Sequence, residues 1–261
     1  MISIKTKEEI ELLRESSLLV GKSLAEVAKN IQPGITTLEL DKIAEQFIRD
    51  HGAIPGFKGY GGFPGSLCIS VNDEVVHGIP SKRELKDGDI VSVDCGVLKN
   101  GFYGDSAYTF AVGEVDAEIR LLMERTKESL YLAVEQVIAG KRTGDIGFAV
   151  QNHVEQYGYG VVKDLVGHGI GRNLHEKPEI PNFGRRGKGP KLTEGMVICI
   201  EPMINMGTAQ VKQDADGWTI RTFDKKPSAH YELQVAVGNG KADVLMTYKY
   251  IDQVLGTKSK Y

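Results

Sequence analysis

The sequence predicts an α+β protein built from two related halves. Three observations carry that expectation. First, Gly34, Thr37, Leu40 and Gly52 match Gly140, Thr143, Ile146 and Gly158 at a constant spacing of 106 residues. Second, residues 85–94 (Leu-Lys-Asp-Gly-Asp-Ile-Val-Ser-Val-Asp) match residues 192–201 (Leu-Thr-Glu-Gly-Met-Val-Ile-Cys-Ile-Glu) at a spacing of 107. One short match arises by chance, whereas two in register point to a duplicated unit with a pseudo-two-fold axis. Third, helical and strand periodicities interleave, which suits helices packed outside antiparallel sheet.

The elements follow in order. Residues 6–30 place Ile10, Leu13, Ser17, Val20, Leu24 and Val27 at helical spacing. Residues 33–52 read as a turn, a Thr or Asp cap, an amphipathic helix and a Gly stop, and residues 139–158 repeat that pattern. Residues 117–139 form the remaining helical segment. Residues 69–76, 90–98, 105–113, 161–166, 196–204 and 231–237 are rich in β-branched residues and read as strands. Residues 181–191 form a basic, Gly-rich connector. No low-complexity linker interrupts the chain, so one domain over residues 1–261 is expected, with halves of approximately 1–115 and 116–261.

Composition excludes several classes. At 261 residues and 41% apolar, the chain has ample material for a core. A net charge of -3 argues against a DNA-binding protein. No apolar run approaches the ~20 residues that span a bilayer, so no membrane partner is expected. The N-terminus lacks an apolar signal core. Cys68, Cys95 and Cys199 are odd in number, far apart and form no CxxC. Together these features point to a reducing cytoplasm rather than a disulfide framework or zinc ribbon.

The chemistry concentrates in five residues: Asp94, Asp105, His168, Glu201 and Glu232. Asp94 closes the apolar run Ile90-Val91-Ser92-Val93, and Glu201 closes Val197-Ile198-Cys199-Ile200. A carboxylate buried without a partner costs several kcal/mol, and neither run contains Lys or Arg. Divalent cations are the natural partners, and four carboxylates with one imidazole suit Mn, Fe or Co. His168 lies between Gly167 and Gly169, where another backbone or a ligand can come close. His77 and His175 adjoin Gly-rich turns and can donate hydrogen bonds to a developing oxyanion.

Several motifs are superficial. Gly167-His168-Gly169-Ile170-Gly171-Arg172 ends in Arg where a dinucleotide fingerprint needs Gly. Gly59–Gly65 lacks the Lys-Ser/Thr of a phosphate loop, and His175-Glu176 reaches no second His. Asp214-Ala215-Asp216-Gly217 reads as a turn, not a calcium loop.

Taken together, Asp94, Asp105, Gly167-His168-Gly169-Ile170-Gly171, His175-Glu176, Ile200-Glu201-Pro202-Met203 and Tyr231-Glu232 closely resemble the type I methionine aminopeptidases of peptidase family M24, in the short bacterial form. The resemblance runs from the N-terminal helix to about residue 250. It implies the pita-bread fold, in agreement with the duplication. It implies removal of initiator methionine from nascent polypeptide N-termini with small, uncharged second residues. Two divalent ions (Co, Mn, Fe(II) or Zn) would activate a bridging hydroxide. Asp94 would bind one ion, Asp105 and Glu232 would bridge, and His168 and Glu201 would complete the other. Glu201 would be the general base, with His77 and His175 contacting substrate and oxyanion. Tyr60, Phe63, Cys68 and Trp218 would form the methionine pocket, with Phe57 and Leu174 at its edges. A sodium or potassium ion would lie near Asn72, Glu74 and Ser228. A monomer is implied, and the basic loop around Arg185-Arg186 offers an electrostatic contact to the ribosome.

The chain departs from the family pattern at several places. Leu233-Gln234 stands where His-Thr is usual, and His230 where Gln is common. Phe57, Phe63 and Leu174 stand where Cys, Tyr and Phe are frequent. Two other readings are a related peptidase such as a prolidase or aminopeptidase P, and a non-catalytic peptide-binding module.

Overall fold

The computed structural model describes residues 2–261. The first half contains α1 (Lys7–Ala28), α2 (Thr37–Asp50), β1 (Ile54–Pro55), β2 (Leu67–Val71), β3 (Glu74–Val76), β4 (Ile90–Lys99) and β5 (Phe102–Ala111). The second contains α3 (Ala117–Val134), α4 (Thr143–Val154), β6 (Gly160–Val161), β7 (Gly167–Gly169), β8 (Glu176–Ile180), β9 (Val197–Ile200), β10 (Met203–Asn205), β11 (Val211–Gln213), β12 (Ile220–Thr222), β13 (Ser228–His230), β14 (Leu233–Ala236), β15 (Asp243–Val244) and α5 (Lys249–Leu255).

Local chemistry sets the helix starts. Thr6 and Thr36 each accept the backbone N–H of a Glu three residues on, and that Glu reaches back to the cap N–H. These capping boxes satisfy donors that the first turn cannot. The internal repeat is visible in the backbone. Gly34 and Gly140 have φ of 93° and 97°, Gly52 and Gly158 have 67° and 78°, and Gly88 and Gly195 have 88° and 86°. Each matched pair holds a left-handed turn that favours glycine.

β4 pairs antiparallel with β5 on one edge and with β2 and β1 on the other. In the second half, β9 lies between β7 and β14 in the order β15-β14-β9-β7-β8. Smaller sheets join β13-β10-β6 and β11-β12-β3. Alternation divides the strands. Val91, Val93, Cys95, Ile198, Ile200, Leu233 and Val235 enter the main apolar core with Val20, Leu24 and Ile146. The opposite face of the same strands carries Asp94, Asp105, Cys199, Glu232 and Gln234.

Three strand expectations need correction. Residues 69–76 form a hairpin, not one strand: the turn at Asn72-Asp73, with Asn72 at φ 57°, separates β2 from β3. Residues 161–166 lie mostly between β6 and β7. Residues 196–204 break at Glu201-Pro202, because proline cannot donate to a ladder. Asp94 also does not close its strand; it sits mid-way along the ten-residue β4.

Candidate active site

One cavity of about 140 Å³ opens between the halves. Its lining includes all thirteen residues expected for metal, catalysis and the methionine pocket, together with Val76. The polar wall comes from both halves. Asp94 and Asp105 stand diagonally on β4 and β5, since Asp94 pairs with Ala107 and Gly96 pairs with Asp105. Glu201 and Glu232 occupy the breaks just after β9 and just before β14. His168 lies at the centre of β7. A Cβ at Gly167 would stand 2.3 Å from the Cys199 carbonyl oxygen, and one at Gly169 would stand 2.4 Å from that of Lys177. The flanking glycines therefore let β7 lie between its neighbours, as their spacing suggested.

The electrostatics of this wall call for cations. His168 Nδ1 donates to the Gly169 carbonyl at 2.9 Å, which leaves the lone pair on Nε2. Burial and nearby His175 hold this imidazole neutral, down to about 3. Its Nε2 then faces Glu201 at 3.6 Å and Asp105 at 3.8 Å, acceptor against acceptor. Asp94 Oδ1, Asp105 Oδ1 and Glu232 Oε1 are buried with no hydrogen-bond partner among the described residues. Burial pushes Asp94 up to about 7. Burial and neighbouring carboxylates hold Asp105, Glu201 and Glu232 well above the ordinary range. Ligating atoms of Asp105, His168, Cys199 and Glu232 all lie within 4.8 Å of one another. Among the described residues, no Lys or Arg lines the cavity. Orphaned oxygens around a fixed imidazole lone pair fit divalent cations, which would satisfy every one of these groups.

The apolar wall is held by aromatic contacts. Phe63 meets Trp218 edge-on at 5.1 Å between centroids. Asp216 Oδ1 accepts the N–H groups of Trp218 and Thr219, both at 2.8 Å. The Asp214–Gly217 segment is the expected turn, and it also presents Trp218. Phe57 is buried against Gly96, where a Cβ would stand 2.5 Å from its ring. Leu174 and Cys68 complete this side.

The other two histidines stand between the walls. His77 adopts φ 60°, a strained conformation for a non-glycine residue. It is held by Gly78, whose carbonyl accepts the Ile69 N–H at 2.8 Å and whose own N–H donates to Ser70 Oγ at 3.1 Å. Burial and nearby His175 lower His77 to about 4, and burial lowers His175. The His175 ring meets that of His168 edge-on at 4.4 Å.

Residues expected near a monovalent ion lie outside this cavity. Asn72 O accepts the Ser228 N–H at 2.9 Å. Glu74 takes the Val71 N–H at 2.7 Å and pairs with Arg83 and Arg221 at 2.9 and 3.0 Å.

Comparison with known proteins settles the family. The model of metallopeptidase family M24 matches residues 11–239. A methionine aminopeptidase from Clostridium acetobutylicum is 52% identical over 246 residues, 94% of this chain and 98% of its own length. The chain belongs to metallopeptidase family M24. Among solved structures, methionine aminopeptidase from Thermotoga maritima aligns with a TM-score of 0.93 at 42% identity, covering 95% of this chain and all of that one. Prolidase from Pyrococcus furiosus aligns with a TM-score of 0.76 at 25% identity, and its match covers only 65% of that longer chain. The expected pita-bread fold is the one observed.

Four residues in or behind this site carry no site role in the sequence reading. Val76 lines the cavity beside His77, but an apolar strand residue carries no chemical signal. Cys199 joins the ligand group; its place two residues before Glu201 was the available clue. Lys5 reaches Glu176 across the fold at 2.6 Å and so braces the loop bearing His175. Gln234 stands out in the sequence only as a departure from the family pattern. No helix among the described residues is long and apolar enough to cross a membrane.

Proposed function

We propose that the chain is a cytoplasmic methionyl aminopeptidase acting as a monomer and as one catalytic unit of two halves, 1–115 and 116–261. Its substrates would be nascent polypeptide N-termini with a small, uncharged second residue. The observation that carries this reading is the cavity itself: an aromatic and aliphatic slot abutting two buried carboxylates, Asp105 and Glu232, two half-buried ones, Asp94 and Glu201, and a neutral imidazole. Engineered cavities of about 150 Å³ take up benzene. A space of about 140 Å³ therefore suits one unbranched side chain and little more.

Asp94, Asp105, His168, Glu201 and Glu232 would hold two divalent ions, with Asp105 and Glu232 shared. Oxygen-rich donors with one imidazole suit Mn, Fe(II) or Co. When bound, such ions polarise the scissile carbonyl and lower the pKa of water toward neutrality. Glu201 would take the proton of the attacking water and deliver it to the leaving amine. With the Tyr60 hydroxyl on Nδ1, His175 would carry its proton on Nε2 and donate it to the carbonyl oxygen as charge develops. Neutral His77 would accept the scissile amide N–H. Phe57, Tyr60, Phe63, Cys68, Leu174 and Trp218 would enclose the methionine side chain. Two grooves that share His175 with the cavity leave room for the polypeptide beyond the cut. A sodium or potassium ion at Asn72, Glu74 and Ser228, and ribosome contact through exposed Arg185 and Arg186, complete the reading.

The test uses metal-stripped protein supplied with Mn, Fe(II) or Co and the peptides Met-Ala-Ser, Met-Leu-Ser, Leu-Ala-Ser and Ala-Pro-Ser. Metal-dependent loss of Met from Met-Ala-Ser alone, seen by mass spectrometry, is the expected result. Cleavage of Ala-Pro-Ser would move the chain to proline-directed chemistry. Inactivity on all four would remove the peptidase assignment.

A further inference from the structure

We propose that Gln234 is a positioning residue for Asp105, acting as a one-residue substitute for a neighbouring strand at the seam between the halves. The inference rests on the metal-centre reading above. β5 pairs with β4 along one edge. Its other edge meets the second half, where the Tyr103 N–H donates to the Gly171 carbonyl at 2.9 Å and the Glu232 N–H donates to the Ala107 carbonyl at 3.0 Å. Between these two bonds, the Tyr103 carbonyl and the Asp105 N–H point the same way, as alternation in a ladder requires.

The Gln234 carboxamide fills that gap. Its Oε1 accepts the Asp105 N–H at 3.0 Å, and its Nε2 donates to the Tyr103 carbonyl at 3.4 Å. These two backbone partners decide which way the amide points, because a flipped amide would set donor against donor and acceptor against acceptor. The Ser17 hydroxyl of α1 lies 2.8 Å from the same Oε1. Gln234 is wholly buried and faces Cys199 across the β9–β14 pair, two residues from Glu232. Beside the Glu232–Ala107 backbone bond and the Ser106 and Tyr248 hydroxyls that reach the Glu232 carbonyl, Gln234 is the side chain that ties the Asp105 backbone itself to the strand following Glu232. Asp105 and Glu232 belong to the same ligand group. A ligand group spread over two halves is only as well aligned as the seam between them.

The experiment is calorimetric titration of Mn²⁺ into metal-stripped wild type, Gln234→Met, Ser17→Ala and Val235→Ala, with the melting temperature of each metal-free protein measured alongside. Partners behind metal ligands typically matter 10–100-fold in affinity. Gln234→Met is expected to weaken Mn²⁺ binding at least about 10-fold, and Ser17→Ala about 3-fold through a looser carboxamide. Val235→Ala truncates a buried core residue on the other face of β14; it should lower the melting temperature and leave affinity unchanged. Gln234→Met affinity within about 3-fold of wild type would overturn the proposal, as would an equal loss in Val235→Ala. Should Gln234→Met fail to fold, unchanged affinity in Ser17→Ala overturns it. Wild type that binds no Mn²⁺ would instead defeat the metal-centre reading, and this inference with it.

Discussion

The Tyr60 hydroxyl lies 2.8 Å from Nδ1 of His175, and the two rings meet edge-on at 5.2 Å between centroids. One residue comes from the turn before β2 and the other from the loop before β8, so the contact spans the mouth of the cavity. A hydrogen bond here fixes both the tilt of the imidazole and the position of its proton. Such a bond contributes about 0.5–1.5 kcal/mol, so Tyr60→Phe should lower kcat/KM on Met-Ala-Ser about 2–12-fold. His175→Ala removes the donor itself and should cost about 10²–10³-fold in kcat. Steady-state kinetics would check both; equal effects of the two variants would contradict the division of roles.

Gly96 controls the width of the apolar slot from behind. A Cβ there would stand 2.5 Å from Phe57 Cε1, so Gly96→Ala must drive the ring aside. Overpacking of this kind costs about 1–3 kcal/mol. Gly96→Ala should therefore raise KM for Met-Ala-Ser, and adding Phe57→Leu should restore much of the loss. A double variant no better than Gly96→Ala would show that Phe57 does not transmit the effect.

The Lys5–Glu176 pair joins the N-terminal segment to the residue after His175. The side chains are 5% and 14% exposed, with Nζ 2.6 Å from the carboxylate. Glu176 Oε1 also accepts the Asn173 N–H at 3.3 Å. Removing one partner of a buried pair leaves an uncompensated charge, at a cost of about 3–5 kcal/mol when burial is complete. Lys5→Met should thus lose roughly 2–4 kcal/mol by urea denaturation, with a smaller fall in kcat as the His175 loop loosens. Wild-type stability in Lys5→Met would sink this account.

Without metal, the buried carboxylates impose a particular pH dependence. Asp94 stands at about 7 when folded, against an ordinary value of 3.8, and Asp105, Glu201 and Glu232 are also raised. His77, His168, His175 and His230, lowered by burial, are neutral in the fold but half protonated in the unfolded chain at pH 6.5, so they oppose the carboxylates there, and that opposition fades by about pH 7.5. The folded chain still binds more protons than the unfolded one, so its stability falls as pH rises through 7. Each carboxyl still protonated contributes a slope of about 1.4 kcal/mol per pH unit. The metal-free protein should melt several degrees lower at pH 8 than at pH 6.5. Saturating Mn²⁺ should remove most of that difference, because the ligands are then ionised at both values. Scanning calorimetry showing greater metal-free stability at pH 8 would refute the assignment of these groups as buried and proton-bearing.

Much of this molecule is legible in one dimension. The duplication shows because matched glycines hold matched left-handed turns, and that demand is written residue by residue. α1 and α2 show because capping and periodicity act within a few residues. Asp94 and Glu201 show because charge beside apolar runs needs an explanation wherever it occurs, and His168 shows through the glycines on either side. Strand ends are less legible: β2 and β3 read as one strand in the sequence, and Asp94 reads as an end although it sits within β4. A β-branched run does not record where its partner strand stops. The contacts of Lys5 with Glu176, Tyr60 with His175 and Gln234 with Asp105 join residues 171, 115 and 129 positions apart. Sequence alone marked the candidate groups that the fold gathers around one cavity, because ionisation, capping and glycine torsions are local properties. Only the tertiary structure decided how those groups are braced, because hydrogen bonds across a seam depend on where two distant backbones come to rest.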